Sequence, residues 1–144
     1  MDETGMGSED EAVRLYREGR AALRGGQAQL GMASLRRAAE LAPHFKTYES
    51  LGEALLEAGR PVDAVLFLSA AVGLGNRQSK ARFLLATALL ALGPEWVTDA
   101  ARKLREALLI NPQYKSAALL LDELFRANTN LATNLADEDA PAEQ

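Results

Sequence analysis

Residues 48–72, YESLGEALLEAGRPVDAVLFLSAAV, hold a pattern that a pair of back-to-back helices satisfies. Leu51, Gly52 and Leu55 fall on one face of a 3.6-residue turn. Gly59 marks the end of that helix, because glycine enters the left-handed conformation that a tight terminus demands. Pro61 opens the next helix, where its missing N–H costs nothing. Ala64, Leu68 and Ala71 then recur at i, i+4 and i+7, so one stripe faces back, with glycine and alanine where the axes come closest. The pattern recurs upstream at a spacing of 33 residues: Gly19 matches Gly52, Gly26 matches Gly59, Leu35 matches Leu68, Ala38 matches Ala71, and Pro43 matches Asn76. Downstream, Gly59 maps to Gly93 at 34 residues, whereas Ala64, Leu68, Ala71 and Asn76 map to Ala100, Leu104, Ala107 and Pro112 at 36. Two residues are thus added in the loop around 94–96. Random helical sequence seldom keeps one small/large pattern in register three times. The expected fold class is all-α.

These elements, Ser50-Leu51-Gly52, Ala64 to Ala71, and the endings AAELAP (38–43) and ALLINP (107–112), resemble the tetratricopeptide repeat family. The chain departs from that family in four places. Its early Trp is absent, Gly31 stands for an expected Ala, Leu replaces the usual second-helix aromatic, and Asn76 replaces a Pro. The resemblance implies an α-solenoid of three helical hairpins plus a C-terminal capping helix. The repeats are expected at about 12–44, 45–78 and 79–113 and the cap at 114–128, within a domain over 9–128. Such a cap covers the last apolar face, since each unit buries its face only against neighbours.

Flanking segments read differently. Residues 1–8 form an acidic N-terminus expected to be disordered, with Ser8 and Glu11 as a capping box that starts the first helix near Glu9. On that helix Val13, Leu15, Ala22 and Leu23 are expected to face inward. Residues 129–144 read as a disordered acidic tail. Residues 1–11 and 137–144 hold nine of the twenty acids, which leaves eleven acids against all sixteen Lys and Arg in the helical body. Acidic ends of this kind keep a chain soluble. Trp96, in the enlarged loop, is expected to plug the helix ends.

Chemistry is sparse. No cysteine occurs, which excludes disulfides, thiol nucleophiles and cysteine-ligated zinc. A single histidine, His44, sits in the turn after Pro43 and cannot make a zinc site alone. Glu53 and Glu57 lie one turn apart, as exposed carboxylates do on many helices. Gly73 and Gly75 follow no strand and read as a helix stop, not a phosphate loop. No catalytic residue, metal or cofactor is expected, and the chain reads as a non-enzyme. The acidic N-terminus is no secretory signal, and the longest apolar run, 64–75, is far short of a membrane span. A cytoplasmic protein without membrane contact is the expectation.

Function then falls to the helix surfaces. In the family, the first helices of the repeats line a concave groove. The resemblance places Tyr16, Arg20, Lys46, Glu49, Glu53, Lys80, Phe83, Thr87, Lys115, Asp122 and Phe125 there. Lys46, Lys80 and Lys115 occupy equivalent places, and aromatics beside lysines suit an extended peptide with an acidic group and apolar anchors. Some family members clamp a chaperone's C-terminal carboxylate with Lys, Asn and Arg. Here Lys80 fits, but Tyr16, Arg20 and Ser50 stand where that clamp wants Lys or Asn. The expected function is a protein-interaction module or adaptor that binds a peptide segment. The alternatives are a dedicated secretion-type chaperone of the three-repeat kind and an RNA-binding helical repeat, though no nucleic acid is expected. One mismatch stands out on the outer face of the second helices. The first and third units are charged there, while the central unit shows Leu66, Ser69, Ala70 and Gly73, flanked by Val65 and Phe67. A helix apolar all round is normally buried on both sides. That face is therefore expected to be an association surface, most simply of a two-fold homodimer.

Overall fold

The computed structural model describes residues 4–75 and 77–139, and among them every regular element is helical. The order is α1 (Thr4–Arg24), α2 (Ala28–Leu41), α3 (Phe45–Glu57), α4 (Pro61–Leu74), α5 (Ser79–Leu92), a 3-10 turn (Pro94–Trp96), α6 (Val97–Ile110), α7 (Lys115–Ala127) and α8 (Leu131–Asp139). The chain divides into two compact units, 1–76 and 77–144.

In the first unit α1 packs on α2 and α3 on α4, with α2 against α3 between the pairs. Glycines set the spacing within each pair. A Cβ on Gly19 would lie 2.9 Å from Leu35 Cγ and 3.0 Å from the Gly31 carbonyl oxygen, and one on Gly31 would lie 2.7 Å from Leu23 Cγ. In the second pair a Cβ on Gly52 would strike Leu68. Both hairpins turn through the same device. Gly26 and Gly59 take φ of +80° and +74°. Around them, Gly26 N donates to Leu23 O and Gln27 N to Ala22 O, as Gly59 N does to Leu56 O and Arg60 N to Leu55 O. That paired bonding satisfies carbonyls a helix end would otherwise leave open. The core of this unit is leucine and alanine: Leu35, Leu51, Leu55, Ala64, Leu68 and Ala71 are all fully buried.

In the second unit α5 packs on α6, α6 on α7, and α8 on both α6 and α7. The two added residues are absorbed by the 3-10 turn after Gly93, whose φ of +146° only glycine adopts readily. Ala86, Ala100, Leu104, Ala107 and Ala117 are buried here. Glu106 on α6 accepts from Arg82 Nε on α5 at 3.1 Å and from Lys103 Nζ at 3.2 Å, which ties the hairpin across its side.

Four expectations are corrected. Helix α1 starts at Thr4, so residues 4–8 are helical and Ser8 lies inside the helix instead of capping it; a capping sequence offers a start without compelling one. Val13 points outward and Ala12 inward, because the close approach at Gly19 fixes the rotation of α1 and Ala12 lies two turns before it. Residues 131–139 of the expected disordered tail are helical, and Leu131 and Leu135 bury against α6 and α7. Trp96 ends the 3-10 turn and is 38% exposed, so it is not a buried plug. Residues 1–3, 76 and 140–144 lie outside the described residues.

Candidate functional site

In the first unit, α1 and α3 present Tyr16, Arg20, Lys46, Glu49 and Glu53, and the first of these meet through a residue not counted among them. Arg20 Nη1 donates to Ser50 Oγ at 3.0 Å and to Tyr16 Oη at 3.2 Å. Its guanidinium also sits 5.9 Å from the Tyr16 ring centroid. Ser50 is buried. A buried hydroxyl needs a partner, so Ser50 holds the arginine across 30 residues of sequence through one of its nitrogens.

On one side of this pair opens a cleft of about 490 Å³, lined by Ala12, Val13, Tyr16, Ala42, Pro43 and Thr47 together with the charged or polar Glu9, Arg17, His44 and Lys46. On the other lies a smaller one of about 160 Å³, bounded by Arg20, Arg24, Ser50, Glu53 and Glu57. The entry to α3 is built locally: His44 Nδ1 accepts from the Lys46 backbone N–H at 3.1 Å, and the imidazole stacks on Phe45 at 4.7 Å. His44 is thus a helix cap. That position fixes Lys46 on the rim with its side chain in solvent. Glu49 and Glu53 already hold partners in the molecule.

The second unit places the remaining groove residues on α5 and α7. The Phe83 ring packs against Tyr114, which precedes α7, with centroids 5.3 Å apart. Thr87 spends its hydroxyl proton on the Phe83 carbonyl at 3.0 Å, within its own helix. Lys80 holds a partner in the molecule. Lys115 and Phe125 are exposed, and Asp122 pairs with Arg126 at 3.6 Å in solvent. An exposed i,i+4 pair of this kind adds little.

Sequence reasoning missed Val13, Arg17, Pro43 and Ser50. An apolar residue with charged Glu9 and Arg17 one turn to either side was the signal at Val13, but helical periodicity assigned it to the core. The outer face of α4 carries the other group of expected residues. Leu66, Ser69 and Gly73 are exposed, and Val65 and Ala70 are partly so. Phe67 is different: its ring lies 6.0 Å from Tyr48, stacked, and 5.4 Å under the Arg36 guanidinium. It belongs to the packing between α2, α3 and α4, not to the outer stripe. Among the described residues no His, Asp or Glu cluster could hold a metal ion, and no helix is long and apolar enough to cross a membrane.

No protein-family model and no curated protein matches the sequence. Solved structures do. The chain is similar to the OM64 TPR domain of Arabidopsis, with 23% identity and a TM-score of 0.78 over 83% of this chain and 98% of that one. It is similar to the first TPR of Spaghetti (RPAP3) bound to the HSP90 peptide SRMEEVD, with 18% identity and a TM-score of 0.78 over 83% and 94%. It is also similar to YrrB, described as a TPR protein with an unusual peptide-binding site, with 18% identity and a TM-score of 0.73 over 83% and 61%. At these identities the likeness is one of fold: the chain has the tetratricopeptide repeat fold of helical hairpins.

Proposed function

We propose that this chain is a non-enzymatic interaction module that holds an extended peptide segment against the inner face of α1 and α3. The observation that carries this reading is the 490 Å³ cleft of Val13, Tyr16 and Pro43, where Arg17 and Lys46 outnumber Glu9, beside an arginine already pinned by Ser50. An apolar side chain of the peptide enters the cleft, and an acidic one meets Arg20, whose ordering cost is met before the peptide arrives. Two solved domains of the same fold are described as binding peptides, one of them the acidic SRMEEVD. Tyr16, Arg20 and Ser50 differ from a terminal-carboxylate clamp, so the peptide here is recognised through its side chains and need not end in the groove.

The test is selection from a peptide library by the full chain, followed by fluorescence polarisation on the selected peptides. Peptides with an acidic residue near a Leu, Ile or Phe are expected to be enriched. Amidating their C-termini should change affinity little. The double reversal Arg17→Glu and Lys46→Glu should weaken binding by about tenfold, and added salt should weaken it further. Enrichment of no acidic peptide, or equal affinity in the double variant, would refute the proposal.

A further inference from the structure

Helix α1 carries four arginines, and their surroundings differ. Arg14 is neutralised on its own helix, donating to Glu18 at 2.9 Å and to Glu11. Arg17, Arg20 and Arg24, at i, i+3 and i+7, share the helix face that also presents Tyr16. Arg17 and Arg24 are exposed and, among the described residues, pair with no carboxylate. Arg20 meets two neutral oxygens, Ser50 Oγ and Tyr16 Oη, so its charge is fixed in place without being cancelled. An arginine only donates, so Tyr16 Oη is the acceptor there and keeps its own proton to give. Tyr16, Arg17, Arg20 and Arg24 line an open cleft of about 300 Å³. Glu53 and Glu57 line the smaller cleft already described and Glu9 the apolar one, and no acid lines this third cleft.

We infer that this cleft takes a phosphoryl group, so that the acidic residue of the peptide proposed above is a phosphorylated serine or threonine; the inference rests on that reading of the groove. The phosphate sits against Arg20 and the Tyr16 hydroxyl, with Arg17 and Arg24 closing on it from the turns to either side. Charge selects this ligand over a carboxylate. A carboxylate brings one negative charge and two oxygens, which a single guanidinium fork satisfies. A phosphoryl group brings about two charges and three acceptor oxygens, which suit three arginines and a phenol. Spacing separates it from a pair of carboxylates. Neighbouring side chains of an extended peptide point in opposite directions, and those on one side stand about 6.6 Å apart. One residue of the peptide therefore enters the cleft, and the double charge must come from that residue alone. Arg17 and Arg24 stand about 10 Å apart along α1 with Arg20 between them, so both guanidiniums can fold onto a group seated on Arg20.

Fluorescence polarisation with the full chain tests this on a library-selected peptide whose acidic residue is made in turn Glu, a Glu-Glu pair, phosphoserine and Ser. The phosphoserine form is expected to bind about tenfold tighter than either Glu form, and the Ser form most weakly. Arg24 does not line the apolar cleft. Arg24→Gln should therefore weaken the phosphoserine form by about tenfold while changing the Glu form by less than about twofold. Tyr16→Phe, which keeps the ring and removes the phenol proton, should cut the same preference. Equal affinity for the Glu and phosphoserine forms overturns the phosphoryl site and leaves the groove standing, as does a preference unchanged in both variants. A selection that yields no acidic peptide refutes the groove, and the phosphoryl site with it. Competition separates other sources of phosphate. Inorganic phosphate, single-stranded RNA and phosphatidylserine vesicles should each displace the labelled phosphopeptide only at phosphate concentrations above that of the unlabelled phosphopeptide. Displacement by any of them at a lower concentration gives the arginines to that ligand and overturns the inference.

Discussion

Gly52→Ala adds a single methyl at the closest point of the central hairpin, and its effect can be worked from the geometry. The new Cβ would fall against Leu68 Cγ, 2.6 Å from Cδ2 and 3.3 Å from Cδ1. Leu68 is fully buried, so it cannot swing into water to make room. Overpacking of this kind costs about 1–3 kcal/mol. Alanine returns about 0.5–1 kcal/mol because it loses less backbone entropy than glycine in a helix. The net expectation is a loss of about 1–2 kcal/mol. At a slope of about 1–2 kcal/mol per M, the urea midpoint followed by far-UV circular dichroism should fall by roughly 1 M. The decisive comparison is made in a Leu68→Ala background, which by itself costs about 2–5 kcal/mol. With the leucine gone the added methyl strikes nothing, so Gly52→Ala should there stabilise by about 0.5–1 kcal/mol. The third hairpin already carries such a methyl as buried Ala86, at the place corresponding to Gly52. If Gly52→Ala stabilises both backgrounds alike, the axes of α3 and α4 are further apart than the steric argument requires, and the reasoning fails.

Leu135→Asp should detach α8, costing about 1.5–3 kcal/mol for the lost leucine burial; amides of 131–139 should then exchange with solvent deuterium much faster, and unchanged protection would show that α8 does not depend on this contact. Glu106→Gln should lower stability by about 1–2 kcal/mol in denaturant titration, because Arg82, only 11% exposed at its side chain, loses its charged acceptor. Lys103→Met, which removes the more open arm of the same cluster, should cost under about 0.5 kcal/mol.

The hairpins and their turns were legible in the sequence because their causes are local. A glycine whose φ must be positive, a proline at a helix start, and a stripe at 3.6-residue spacing act through neighbours within one or two turns, and so Gly26, Gly59, Pro61 and the stripe Ala64, Leu68, Ala71 could be placed directly. The buried faces of α2 and α4 followed from the same spacing. Tertiary contacts decided the rest. A nine-residue helix is marginal in water on its own, and α8 exists because Leu131 and Leu135 find α6 and α7. The outward turn of Val13 was settled by how deeply Gly19 lets α1 approach Leu35, a distance no periodicity encodes. The same rotation opened the cleft in which Val13 becomes a wall. Phe67 left the apolar stripe for Tyr48 and Arg36, residues 19 and 31 positions away in the chain. Ser50, read only as a departure from a clamp, became the group that orients Arg20. Sequence periodicity records which side of a helix is apolar; which partner that side meets, and which polar side chains are drawn together from separate helices, is set by the depth and rotation at which the helices pack.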